Sequence, residues 1–131
     1  MQQARRKLLS LLAATALAAA CVPALAHHGW SWTGEEFFEL TDTLTDIYVG
    51  NPHATLELDV DGVVWRVELA PLNQTLNAGF DETAVALGAE VTVIGHRSLD
   101  PNEPRMKAVR VIVGDKTYDV YPDRAVELPS P

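Results

Sequence analysis

Cysteine is nearly absent from this sequence: among 131 residues, Cys21 is the single example, and it lies close to the amino terminus. A domain that begins after residue 26 therefore has no disulfide, no thiolate nucleophile and no cysteine-based zinc site. Positive charge is also scarce, with 10 Lys and Arg residues against 18 Asp and Glu residues. Such an excess of negative charge disfavours phosphate backbones and anionic lipid surfaces as partners, so we do not expect the protein to bind nucleic acid.

A long apolar run in the first 26 residues is typical of a secretory signal peptide. A positive segment ending at Lys7 precedes an apolar stretch at residues 8–20, and an Ala-x-Ala cleavage site ends at Ala26. The stretch is too short for an ordinary membrane-spanning helix. We predict a periplasmic protein from which residues 1–26 are removed, which leaves seven basic against 18 acidic residues and no membrane span. Lipid attachment at Cys21 is the alternative.

The rest of the chain has the alternation of apolar and polar residues that predicts short strands. Six strand regions are predicted: 38–49, 54–60, 63–69, 90–96, 106–113 and 117–121. A change of parity within the first strand predicts a bulge near Thr45–Asp46, and Asp61-Gly62 is a strong hairpin signal. A short helix is expected from Pro71 to Gly79, between the third and fourth strands.

A long bent first strand and a helix between strands three and four match the OB-fold barrel. We therefore predict an all-β domain with one short helix, a small OB-fold-like antiparallel barrel of five to six strands, at residues 38–122. Residues 27–37 would form an N-terminal arm rich in His and Trp, and residues 123–131 a loose tail. A different small antiparallel barrel or a sandwich is the alternative.

All four histidines of the sequence lie after the predicted cleavage site, at His27, His28, His53 and His96. His53 follows the turn before strand two, and His96 ends strand four. In an OB-fold these two connections lie on the same side of the barrel and flank its usual binding face. We therefore expect His53 and His96 to be neighbours, with both rings pointing outward and available to a ligand.

Cleavage before His27 would place a free α-amine and an imidazole on one residue, and together these two groups can chelate a metal ion as a histidine brace. His53 or His96 could supply the third nitrogen. Nitrogen ligands favour Cu(II) and also suit zinc and nickel. Because the amine and the imidazoles must lose protons to bind, metal binding should weaken in mild acid. His28 competes with this arrangement, since the amine, the intervening amide and a second-position imidazole also bind Cu(II).

Each of these residues also has a simpler interpretation. A single surface histidine is usually only a polar residue, and His96 could merely cap a strand end. Trp30 and Trp32 could stack on a ring or sugar or exclude water from a metal, or they could simply cover an open end of the barrel. Met106 could ligate Cu(I), although a core or edge position is the better interpretation.

Five segments together carry a family resemblance. They are His27-His28-Gly29-Trp30-Ser31-Trp32, Gly50-Asn51-Pro52-His53, Ala70-Pro71, Val93-Ile94-Gly95-His96-Arg97-Ser98, and Tyr118 to Pro122. This set resembles a family of small secreted bacterial proteins, the domain of unknown function 6152, over nearly the whole chain after residue 26. The resemblance implies a Gram-negative periplasmic location, puts the four histidines on the family's motif positions and implies no particular activity.

These observations favour a periplasmic protein that binds a transition metal, with copper expected first, through its N-terminal and loop histidines. Its role would be metal carriage, buffering or delivery to a periplasmic metal-handling protein. The main alternative is a metal-free binding module for a peptide, glycan or protein partner, and a third is a brace-type oxidase or monooxygenase. No catalytic pattern is visible, because Ser31 and Ser98 have no triad partners, so an enzyme is not the expectation.

Overall fold

The computed structural model describes residues 29–131, which form six strands and two short helices. In chain order they are β1 (Phe38–Tyr48), β2 (His53–Val60), β3 (Val63–Pro71), α1 (Leu72–Asn77), β4 (Glu90–Arg97), β5 (Arg105–Val113), β6 (Lys116–Asp119) and α2 (Pro122–Ala125). The predicted signal peptide, its cleavage site, His27 and His28 lie outside the described residues. Neither described helix, at six and four residues, has the length and hydropathy needed to cross a membrane.

Five of the strands close into a barrel. Around the barrel the order is β1, β2, β3, β5, β4 and back to β1, and β6 pairs with the second half of β5. This order, with a long first strand and a helix between β3 and β4, is that of an OB-fold, so the predicted fold class is confirmed. The closing pair β3–β5 is parallel, with Val67 opposite Met106, whereas the other pairs are antiparallel as predicted.

Two irregularities set the shape of the first three strands, and both agree with the sequence. The register between β1 and β2 shifts between Leu44 and Asp46, which confirms the predicted bulge and allows the long β1 to bend. Asp61 and Gly62 both have positive φ angles, at 52° and 84°, as a tight hairpin of the I′ type requires.

The core fills the barrel with the inward residues of every strand. The largest fully buried side chains are Phe80, Leu44, Leu56, Leu58, Leu69, Met106, Val67, Val91, Val93, Val109, Val111 and Val120. Met106 is 0% exposed, so it is a core residue, and its thioether is not available to an external ion. Phe80, in the turns after α1, packs edge-on against Tyr118 of β6 with ring centres 5.2 Å apart.

The chain after β6 makes more contacts than the predicted loose tail indicated. It forms α2, a second short helix beyond the one expected, and the Arg110 guanidinium donates to the Pro129 carbonyl at 2.7 Å. The same guanidinium donates to Asp119 at 2.6 Å, so one buried arginine joins β5, β6 and the tail.

Gly95 is required where β4 meets β5. A Cβ at this position would overlap the carbonyl oxygen of Lys107, and the register between the two strands shifts between Ile94 and Gly95. The close approach places the following residue, His96, directly opposite Lys107.

Candidate functional site

Four polar side chains cross the outer face of the barrel on four adjacent strands. They are His53 of β2, Glu68 of β3, Lys107 of β5 and His96 of β4, and we refer to them as the polar row. Glu68 lies opposite Lys107 across the parallel pair, and Lys107 lies opposite His96. Because the neighbours of Glu68 and Lys107 along their strands point into the core, alternation directs the row outward.

The first pair of the row is an imidazole beside a carboxylate. The His53 Nε2 atom lies 3.5 Å from Glu68 Oε2, and the two side chains are 32% and 10% exposed. The other carboxylate oxygen, Oε1, accepts a hydrogen bond from Arg105 at 2.7 Å. Glu68 thus contacts His53 through one oxygen and Arg105 through the other, with Arg66 Nε also 3.9 Å from Oε1. The position of Glu68 below the surface strengthens these interactions.

Trp32 covers the Arg105 end of this site. The Arg105 guanidinium lies 3.7 Å from the centre of the Trp32 indole, and the Trp32 carbonyl accepts the Leu99 N–H at 2.9 Å. A cation–π contact of this kind contributes about 0.5–2 kcal/mol. Trp32 therefore lies over the charged pair that Arg105 forms with Glu68. Trp30 lies in the turn at residues 29–32.

His96 at the far end of the row is buried. Its side chain is 5% exposed, its Nδ1 lies 3.1 Å from the Glu36 carbonyl, and the Phe37 ring lies 4.6 Å away between centres. A carbonyl only accepts hydrogen bonds, so Nδ1 carries the proton. Burial lowers the pKa of His96 from its ordinary value, more than the Glu36 hydrogen bond raises it. The prediction that this ring is exposed to a ligand is wrong, because residues 36 and 37 fold over it.

Lys107 occupies the middle of the row and is 8% exposed. Burial lowers its pKa, which the charge of Glu68 partly offsets. Its ammonium nitrogen lies 5.5 Å from the centre of the Tyr121 ring, and burial raises the pKa of that phenol. Lys107, near the Glu68 carboxylate and the Tyr121 ring, thus separates His53 at one end of the polar row from His96 at the other.

His53 and His96 therefore share one outer face but are not adjacent. Strands β3 and β5 lie between their strands, and Glu68 and Lys107 fill the positions between them. Within residues 29–131, no group of three or more His, Cys, Asp or Glu side chains is arranged to hold a metal ion. His27 and His28 lie outside the described residues.

Glu68 and Lys107 were not predicted from the sequence as site residues. Each had outward parity on a predicted strand, but their importance depends on the pairing of β3 with β5, residues distant in sequence. One signal was present, since Glu68, Lys107 and Arg105 are charged residues in otherwise apolar strand segments, and charged groups in such positions are usually paired.

The fold and its outer face define a small OB-fold-like domain with a polar row of histidine, glutamate and lysine. The chain belongs to the family of unknown function (DUF6152), whose sequence profile matches residues 14–106. No curated protein sequence matches the chain. Among solved structures, a chain of the S. pombe Stn1–Ten1 complex is similar with a TM-score of 0.48 and 15% identity. That match covers 70% of this chain and 63% of the other, so this chain spans less than two thirds of it.

Proposed function

We propose that this protein is a periplasmic carrier or buffer for a transition metal ion, with copper expected first, and that His53 and Glu68 are its ligands on the barrel. The observation that supports this most strongly is the distance of 3.5 Å between His53 Nε2 and Glu68 Oε2 in a pair open to solvent on the histidine side. His96 is omitted from the ligand set because its ring is buried and its Nδ1 is bonded to Glu36.

The spacing of the pair suits one shared ion. Two ligand atoms about 2.0–2.1 Å from a metal lie roughly 3.4 Å apart in a tetrahedral site and roughly 2.9 Å apart in a square-planar one. The observed 3.5 Å therefore fits a tetrahedral ion, and a shift of about 0.6 Å fits square-planar copper. Such a shift requires only a small side-chain rotation, since the His53 side chain is 32% exposed.

Arg105 controls the charge of this site. It neutralises Glu68 through a bond of 2.7 Å, so a bound divalent ion competes with the guanidinium for the carboxylate. The second carboxylate near Arg105, Glu103 at 3.4 Å, together with the Trp32 ring, gives the guanidinium other contacts when Glu68 turns to the ion. The site is thereby suited to reversible binding, as a carrier requires.

Two ligands are too few for a stable metal site, and we expect the amino terminus to supply the remaining ligands. Removal of residues 1–26 would give His27 a free α-amine beside its imidazole, and His28 adds a further imidazole. This part of the proposal rests on the sequence, as do the signal peptide and the periplasmic location. It predicts a nitrogen-rich site that needs the correctly processed amino terminus.

The test is a Cu(II) titration of protein that begins at His27, followed by electron paramagnetic resonance. We expect one ion per chain, with nitrogen couplings that are lost when one residue is added before His27. Glu68→Gln should weaken binding by at least roughly 10- to 100-fold, because that is the loss found when even a group that only supports a metal ligand is removed.

The matched control is Glu57→Gln, which changes a half-buried carboxylate on the neighbouring strand and should leave binding unchanged. Equal binding by Glu68→Gln and Glu57→Gln would place the ion away from the barrel pair. No specific binding by any form would favour the metal-free binding module.

A further inference from the structure

Arg97 lies with two aromatic rings at one end of the barrel. Its guanidinium carbon is 5.2 Å from the centre of the Phe38 ring and 5.2 Å from that of the Trp65 ring. The two rings are themselves stacked, 5.4 Å apart and 20° from parallel. All three residues have inward parity on their strands, and all three are half-buried, so they line the mouth of the barrel and are distinct from the outward polar row.

Arg97 differs from the other arginines of the barrel strands in its charge partners. Arg105 and Arg110 each have a carboxylate at 2.7 Å or less, and Arg66 lies 3.9 Å from two. Within residues 29–131 no carboxylate lies within ion-pair distance of Arg97. Its one protein hydrogen bond from the guanidinium there is a long one of 3.4 Å to the Pro101 carbonyl.

The acidic residues of the loop after β4 have other partners. Asp100 accepts the N–H of Asn102 at 2.9 Å. Glu103 accepts the Ser98 hydroxyl at 2.6 Å and contacts Arg105 at 3.4 Å. The loop therefore holds its two carboxylates away from Arg97, in a chain where acidic residues outnumber basic ones by eight.

The aromatic rings hold the guanidinium without satisfying its hydrogen bonds. A cation–π contact acts on the face of a ring, whereas the N–H donors of arginine lie in the guanidinium plane and match a carboxylate in a bidentate pair. Because Arg97 is partly buried beside two rings, an ion pair that it forms there is stronger than one formed in open water. The flat, apolar surfaces of Phe38 and Trp65 add a site for a planar or apolar group.

We propose that this end of the barrel binds a small organic carboxylate, with the carboxylate on Arg97 and the flat apolar part of the ligand against Trp65 and Phe38. This site is separate from the metal proposal, since it shares no residue with it and needs no ion. It gives the domain a second ligand, of opposite charge to the first.

The test uses benzoate, acetate and neutral benzamide as probes on the metal-free protein with chelator present. Proton–nitrogen spectra report the Nε–H of Arg97 and the indole N–H of Trp65. We expect saturable shifts of both signals with benzoate, a weaker response to acetate because it lacks the ring, and no saturable response to benzamide.

Variants assign the binding to the arginine. Arg97→Gln should weaken benzoate binding roughly 10- to 100-fold, the loss expected for a hydrogen-bonded charge pair, and Arg97→Lys by an intermediate amount because lysine cannot bind in bidentate fashion. Arg66→Gln, which removes an exposed arginine from β3, is the control and should bind as the unchanged protein does.

Arg97→Lys serves as the variant if the glutamine form does not fold. The proposal is overturned if benzoate gives no saturable shift, if benzamide binds as well as benzoate, or if the Arg97 variants retain full affinity. Because the probes bind without metal, failure here leaves the metal proposal standing, and failure of the copper titration leaves this one standing.

Discussion

Replacement of Glu68 by glutamine tests whether the outer face depends on this carboxylate. In the native protein the Glu68 side chain is 10% exposed, accepts a hydrogen bond from Arg105 at 2.7 Å and lies 3.5 Å from His53. Glutamine keeps the size of the side chain but removes its charge. Glu103, at 3.4 Å, is then the carboxylate that remains in ion-pair contact with Arg105. A hydrogen bond to a charged, partly buried group contributes about 1.5–3 kcal/mol, so we expect a loss of about 2 kcal/mol.

The assay is urea and thermal unfolding of the metal-free protein. A loss of about 2 kcal/mol corresponds to a fall in Tm of about 10 °C for a domain of this size. Glu57→Gln is the control, because Glu57 is 37% exposed and lies 3.9 Å from its arginine partner, so it should cost less than about 0.5 kcal/mol. If the two variants unfold at the same denaturant concentration, the Glu68 contacts do not stabilise the barrel and the reasoning fails.

Three further predictions follow from burial in the barrel. Met106→Ala should lower the free energy of unfolding by about 2–5 kcal/mol because the side chain is fully buried, and a smaller loss in urea denaturation would place it outside the core. Gly95→Ala should prevent folding or lower the Tm sharply, because the Cβ of the alanine would overlap the Lys107 carbonyl oxygen. A melting curve recorded by circular dichroism tests this, and an unchanged curve would refute it. Because burial lowers the pKa of His96 from 6.5, the unfolded chain binds more protons, so stability is lost as pH falls below about 6.5. Phe37→Ala should raise the pKa of His96 and so reduce the loss of stability in acid. An NMR titration of His96 and unfolding experiments between about pH 5 and pH 8 would measure both effects. An unchanged pKa would show that Phe37 does not cause the burial effect on His96.

Local patterns in the sequence were sufficient to predict the barrel. The alternation along β2 and β3, the Asp61-Gly62 turn and the parity change in β1 are each decided by residues close together in the chain, and each is confirmed. The parallel closure between β3 and β5 was not predicted, because it brings together residues that are distant in sequence.

The candidate site was predicted less well for the same reason. The outer-face position of His53 follows from its parity, but the neighbours Glu68 and Lys107 follow only from the closure of the barrel. His96 was expected to be exposed because its strand position is outward, yet Glu36 and Phe37 cover it. The parity of a strand residue shows whether its side chain points outward. It does not show whether a preceding segment of the chain covers that side chain.

A crystal structure of protein that begins at His27, loaded with Cu(II) and measured with anomalous scattering at the copper edge, would show whether His53 and Glu68 bind the ion. We expect one copper peak about 2 Å from His53 Nε2, with Glu68 Oε2 turned toward it and Arg105 shifted toward Glu103. A peak bound only by His27 and His28, with the contact between Glu68 and Arg105 unchanged, would contradict it.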